Sequence, residues 1–318
     1  MQLPRVGPVA FLRLARAGVA LVVLNIVTGG AVRLTDSGLG CPDWPTCSRT
    51  SLTPALSFHP AVEFGNRLVV VALSVVCVAL VAGAWRRAPA RRDLVGLAAA
   101  MVGGVIAEAV LGGVVVYTKL NPYAVMTHFM LGIALLSVAV VLMTRAERAP
   151  GPGRPRVARG QLRLAWVILG LLALAVAAGT ATTGAGPHAG GPGAKRLPVP
   201  LADMARAHSA IVLVLGAATV VELILLERAG APSSVRVRGQ MLLAAMVGQG
   251  VVGYTQYFTH LPALLVGIHV LGATTVWGAA LWFIDGLFDH APERSTVERS
   301  ANAVCGPAVK GTARAGSS

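Results

Sequence analysis

Three histidines in strongly apolar surroundings, His128, His208 and His269, carry the most direct chemical signal in this chain. An imidazole inside a membrane-like stretch is costly, and one that is kept there has a partner or a task. Each stands a few residues into an apolar segment, roughly 6–9 Å below its boundary at the helical rise. Two imidazoles on facing helices at one depth are the arrangement that grips a haem iron from both faces, and His208 and His269 satisfy it. The competing reading gives each ring a hydrogen bond to a nearby carbonyl and nothing more. It accounts for one isolated histidine better than for three at a shared depth. No CxxCH occurs, which excludes covalent c-type attachment.

Carboxylates, guanidiniums and thiols surround these rings in the sequence. Glu63 and Asn66 are three residues apart and share a helix face. A carboxylate there can move protons at a bound ligand, or simply pair with Arg67 at i+4. Arg33, Arg67 and Arg206 suit bidentate contacts to the propionates of a haem, or solvation at an interface. Glu108 is a second carboxylate inside an apolar segment, with no role that spacing assigns. Cys41 and Cys47 bracket Pro42 and Pro45. On an oxidising face they read as a disulfide closing a short loop; free thiols, or a metal pair lacking its other ligands, remain open. Gly38 and Gly40 in the same loop allow tight turns and the close approach of a flat ligand. Cys77 and Cys305 look incidental.

The elements that must position these groups follow from composition. The 318 residues are 55% hydrophobic and 13% charged, with a mean hydropathy of +0.70; soluble domains carry roughly a quarter charged residues. Eight apolar stretches are long enough to cross a bilayer: 14–34, 62–84, 94–116, 124–144, 163–183, 204–226, 238–256 and 263–286. Met1 to Arg16 lacks a small-residue cleavage site, so it reads as the lead into the first span and not as a signal peptide. The net charge of +14 is a topology signal, because 20 of the 27 basic residues fall on one side of this arrangement. That asymmetry puts both termini in the cytoplasm and leaves no nucleic-acid role.

The chain also repeats itself. VLGGVVVYT (110–118) and VGQGVVGYT (247–255) agree at six of nine positions, and each precedes a helix with an early histidine. TDSG (35–38) and TGAG (183–186) match more loosely. Four helices per repeat keep both halves in the same orientation, unlike the inverted repeats of many transporters. The expected fold is an all-α integral membrane protein of eight transmembrane helices in two pseudo-twofold-related four-helix bundles. Residues 1–145 form the first bundle, with an outer cysteine loop over 35–60. A cytoplasmic linker follows over 146–162, then the second bundle over 163–290, and a disordered tail over 291–318.

TGGAVRLTDSGLGCPDWPTC, EFGNR, LNPYAVMTHF, TGAGPHAG and GIHVLG together resemble the haem A synthase family across essentially all eight helices. The resemblance implies a cell-membrane enzyme that oxidises a methyl group of haem O to the formyl group of haem A. It implies haem b as cofactor on His208 and His269, haem O on His128, and Glu63 as the catalytic carboxylate. Cys41 and Cys47 match the family's outer-loop cysteine pair. Asn66 departs from the pattern, since well-known members carry a histidine there; His59, a water or Glu63 are the substitutes that suggest themselves. The resemblance further implies haem O synthase and an electron-transfer protein as partners, beside membrane lipid, and leaves a homo-oligomer open. The competing classes are a di-haem b-type cytochrome, a haem transporter or binding protein, and a transporter that uses the histidines as a proton path.

Overall fold

Apolar runs bounded by proline, glycine and arginine become eight long helices: α1 (Pro8–Leu34), α2 (Phe58–Trp85), α3 (Arg92–Tyr117), α4 (Pro122–Ala146), α5 (Arg159–Ala185), α6 (Leu201–Arg228), α7 (Ser233–Phe258) and α8 (Ala263–Gly286). The computed structural model describes residues 5–41, 43–48, 53–54 and 57–290. Pro42, Arg49, Cys305 and the tail over 291–318 lie outside them. At about 1.5 Å per residue every helix exceeds a hydrocarbon core of about 30 Å. Seven of the eight are apolar enough as well as long enough to cross it. α7 falls short in apolarity alone, because Arg236, Arg238, Gln240, Gln249 and Gln256 interrupt it. The chain is a multi-pass helical membrane protein. Large apolar side chains such as Val75, Val110, Leu213 and Leu264 stay exposed on the helix surfaces, as expected where lipid is the solvent.

Helix starts are set locally. Pro8 occupies the first turn of α1, and Pro122 that of α4, where the Asn121 side chain accepts the Tyr123 N–H at 3.0 Å. The turns between α3 and α4 and between α7 and α8 share an unusual backbone. Lys119 and Leu120 in one, and His260 and Leu261 in the other, are consecutive left-handed residues. α3 is capped by Thr118 and α7 by Thr259, so VLGGVVVYT runs to the end of its helix whereas VGQGVVGYT stops four residues, about one turn, before the end of α7.

α1 packs on α2 and α4, and α3 on α2 and α4, closing a ring of four; α5 to α8 close a second ring in the same order. Contacts of α1 with α8, α4 with α8 and α4 with α5 join the rings. Trp277 of α8 donates its indole N–H to Ser137 of α4 at 2.8 Å within this seam. At the end remote from the cysteine loop, Arg91 donates to the carbonyls of Arg145 and Arg148, and both Arg148 and Arg238 pair with Asp285. A two-residue antiparallel bridge, β1 (Arg154–Pro155) with β2 (Phe288–Asp289), pins the linker to the end of α8.

Candidate functional site

The three histidines stand six or seven residues after the first residues of α4, α6 and α8, and Asn66 eight after that of α2. All four line one cavity of about 830 Å³ that runs through both rings of helices, near the upper end of the usual range for small-molecule sites. His208 and His269 face each other with ring centres 6.5 Å apart and planes 78° from parallel. A metal ion about 2 Å from each imidazole nitrogen would set the ring centres about 6 Å apart, so the pair is spaced to hold one between them. The His208 Nδ1–H donates to the Ala175 carbonyl at 2.9 Å. That fixes the tautomer and leaves Nε2 as the nitrogen available to a ligand. Among the described residues no cluster of three or more His, Cys, Asp or Glu is spaced to hold a metal.

Each of the four positions sits against a glycine of a neighbouring helix, a signal the sequence reading missed. A Cβ on Gly179 would lie 3.2 Å from the His208 ring, and one on Gly253 3.1 Å from that of His269. The corresponding distances are 3.7 Å from Gly112 to His128 and 3.9 Å from Gly29 to the Asn66 amide oxygen. The glycines are legible in the sequence, but their pairing needs the helices to be set side by side.

On the first ring, His128 has no facing imidazole. Asn66 lines the same cavity from α2, the helix diagonal to α4 in this ring, and its Oδ1 accepts the Thr28 hydroxyl at 2.7 Å. Behind His128, Glu108 brings Oε2 to 3.0 Å from Nδ1. His59 is exposed, lies off the cavity wall and holds Ser37 Oγ at 3.1 Å through Nδ1.

Glu63 is buried at the cavity wall, and both its oxygens are engaged. Oε1 accepts from Arg67 Nη2 at 2.5 Å and Oε2 from the Cys41 N–H at 2.8 Å. Thus the i+4 ion pair and the cavity position coexist. Arg67 gives Nη1 to the carbonyls of Asp43, Pro45 and Thr46, at 3.1, 3.0 and 2.8 Å, and lies over the Trp44 ring. Cys41 and Cys47 form a disulfide with Cα atoms 4.4 Å apart. The loop they close lays Trp44 against Gly113 and into the cavity wall, and Tyr117 donates to the Trp44 carbonyl at 3.1 Å. Gly40 is needed for the chain itself and not for a ligand, since a Cβ there would meet the His59–Pro60 backbone at 2.6 Å. Cys77 is a buried free thiol within α2.

Arg33 reaches from the end of α1 to the second ring, donating to the His188 and Thr183 carbonyls at 2.7 and 3.0 Å. His188 in turn bonds the Leu261 carbonyl at 2.8 Å through Nε2. Arg206 lies at the cavity rim, largely exposed, with Asp203 at 2.9 Å.

Fold and site define a class: a multi-helix membrane protein with an imidazole-lined internal cavity beneath a disulfide-closed loop. Comparison with known proteins makes this specific. The sequence profile of the cytochrome oxidase assembly protein family matches residues 13–59 and 56–190, more than half of the chain, and the chain belongs to that family. It is 35% identical over 134 residues to the heme A synthase of Geobacillus kaustophilus, covering 39% of this chain and 40% of that protein. With the heme A synthase of Geobacillus thermodenitrificans the identity is 33% over 139 residues, 42% of this chain and 43% of the relative. For that of Lysinibacillus sphaericus it is 32% over 130 residues, 41% of each. The chain thus matches about two fifths of the length of these curated relatives.

Proposed function

We propose that this protein is a haem A synthase. It oxidises a methyl group of haem O, bound in the α1–α4 half, to a formyl group, and holds a haem b between His208 and His269. The observation that carries the reading is the asymmetry of one cavity. One half offers two imidazoles at metal-bridging separation; the other offers a single imidazole, a non-ligating amide opposite, and a buried carboxylate on the same helix face. A resident cofactor is best held from both sides, whereas a substrate must enter, react and leave. The names of the relatives point the same way.

The residues present fit a haem. The His208–His269 spacing suits an iron, Ala175 orients one ring, and Gly179 and Gly253 leave room beside both. Among the described residues no third His, Cys, Asp or Glu joins this pair, so the two imidazoles would hold a macrocycle-bound iron as a pair. Haem b would supply one-electron redox chemistry there. Converting a methyl to a formyl group adds one oxygen to the carbon as it gives up hydrogens and electrons, and Glu63 is the carboxylate held ready to take protons or to face developing positive charge. Arg67 and the Cys41 N–H fix both its oxygens, so the cysteine loop positions the reacting group. Arg206 and Arg67 are the guanidiniums available to propionates at the rim.

The architecture under this reading is two four-helix bundles, 1–145 and 163–290, related by a pseudo-twofold axis and joined by the 146–162 linker. The contact of α1 with α8 mirrors that of α5 with α4, and α4 meets α8 across the axis. The basic residues crowd the linker side, which supports a cell-membrane protein with both termini in the cytoplasm. Haem O synthase as supplier and an electron-transfer protein as redox partner complete the reaction's setting.

The test is pigment extraction from purified protein made with and without a source of haem O. Haem A forms in the wild type only with that source, and Glu63→Ala abolishes it while haem b remains. Haem b alone under every supply would replace this reading by an electron-transfer cytochrome.

A further inference from the structure

We infer that Glu108 is the positioning residue for His128, and that it makes the iron site of the α1–α4 half chemically unlike that of the α5–α8 half. Glu108 is buried in the middle of α3, with its side chain 9% exposed and Oε2 3.0 Å from His128 Nδ1. Its second oxygen has no hydrogen-bond partner, and the His128 Nδ1 contact lies off the in-line direction of a full hydrogen bond. A ligand that engages the opposite nitrogen would reorient the ring and could bring this contact into line. One turn further along α3, Gly112 faces Cε1 and Nε2 of the same ring. A single helix therefore supplies the carboxylate behind the imidazole and the open space beside its ligand atom.

The two other rings are backed differently. His208 Nδ1 is bonded to the neutral Ala175 carbonyl, and His269 Nδ1 has no acceptor. A carboxylate behind a metal-bound imidazole fixes the ring and makes the ligand more electron-donating, whereas a neutral carbonyl does so less. An unpartnered carboxylate oxygen in an apolar interior is also costly, so retaining Glu108 as mere packing has no stabilising rationale. The His128 site receives the stronger electron donor together with the open opposite face at Asn66. The His208–His269 site receives neither. Glu108 thus separates a reacting iron from an electron-storing one.

This rests on His128 as a haem ligand, and the experiment separates the two. Full-length protein is loaded with haem b or haem O and studied without turnover, by resonance Raman of the ferrous state and by redox titration of both haems. Glu108→Gln should lower the iron–imidazole stretching frequency and raise the potential of the His128 haem alone; Glu108→Asp should restore part of both. A Glu108→Gln protein that keeps its haem with both readouts unmoved overturns the inference. In the wild type the stretching frequency should exceed that of a haem protein whose imidazole is bonded to a backbone carbonyl. A value at or below that standard overturns the inference whatever the variants do. A His128→Ala protein that keeps both haems refutes the His128 site itself; haem lost there, with an unmoved Glu108→Gln spectrum, refutes only Glu108.

Discussion

Under the proposed function, Asn66 decides what kind of site the α1–α4 half holds. A histidine there would face His128 across the cavity as His208 faces His269. The amide, held by Thr28, offers a hydrogen-bonding group in place of a ligand. Asn66→His is expected to convert the substrate haem to a six-coordinate, low-spin spectrum and to slow haem A formation, measured by absorption spectroscopy beside turnover. Glu63→Gln keeps the shape of the side chain but not its base. It should lower the rate by about 10²–10⁴-fold with haem content unchanged, a pairing that separates chemistry from folding. Much of this scale was legible in the sequence, because depth along a helix can be counted: the three histidines, Asn66 and Glu63 all line the cavity. Glu108 was visible as a buried carboxylate but had no readable role. Its partner lies across two helices, and no spacing within one strand of text encodes that.

At the scale of elements, the glycines opposite the ligand positions decide whether an imidazole can stand in place. Gly179→Val and Gly253→Val bring branched carbons onto rings that a bare Cβ would already approach to 3.2 and 3.1 Å. Each should release the haem proposed to sit between His208 and His269 while α-helical circular dichroism is retained, read as haem per protein. The cysteine loop is the second such element. Its backbone carbonyls are gathered by Arg67, and its Cys41 N–H holds Glu63. Replacing Cys41 and Cys47 with serine frees a loop of this length at a cost of about 2 kcal/mol. It should also reduce haem A formation, because Glu63 loses a fixed partner; denaturation in detergent and a turnover assay check both. The eight helices were legible as long apolar runs, with ends displaced by a few residues, although only seven are apolar enough to qualify as spans.

The whole molecule is two rings of helices sharing one cavity, and what joins them is largely polar at the loop end. Arg33 crosses from the first ring to two carbonyls of the second. Arg33→Ala takes the donor from the His188 carbonyl, while that of Thr183 keeps the Gly186 N–H, and should destabilise the joined halves by about 1–3 kcal/mol, seen as haem release at a lower temperature. No sequence pattern announced this clasp, since its acceptors are backbone atoms some 150 residues away. The central claim is that the halves divide the labour, one keeping a cofactor and the other processing a substrate. It is tested most directly by counting and identifying haems in His128→Ala and His269→Ala proteins made with a haem O supply. His128→Ala should retain one haem b and lose haem O and haem A, while His269→Ala should lose haem b. Loss of the same pigment from both variants would contradict the division and leave a single shared site.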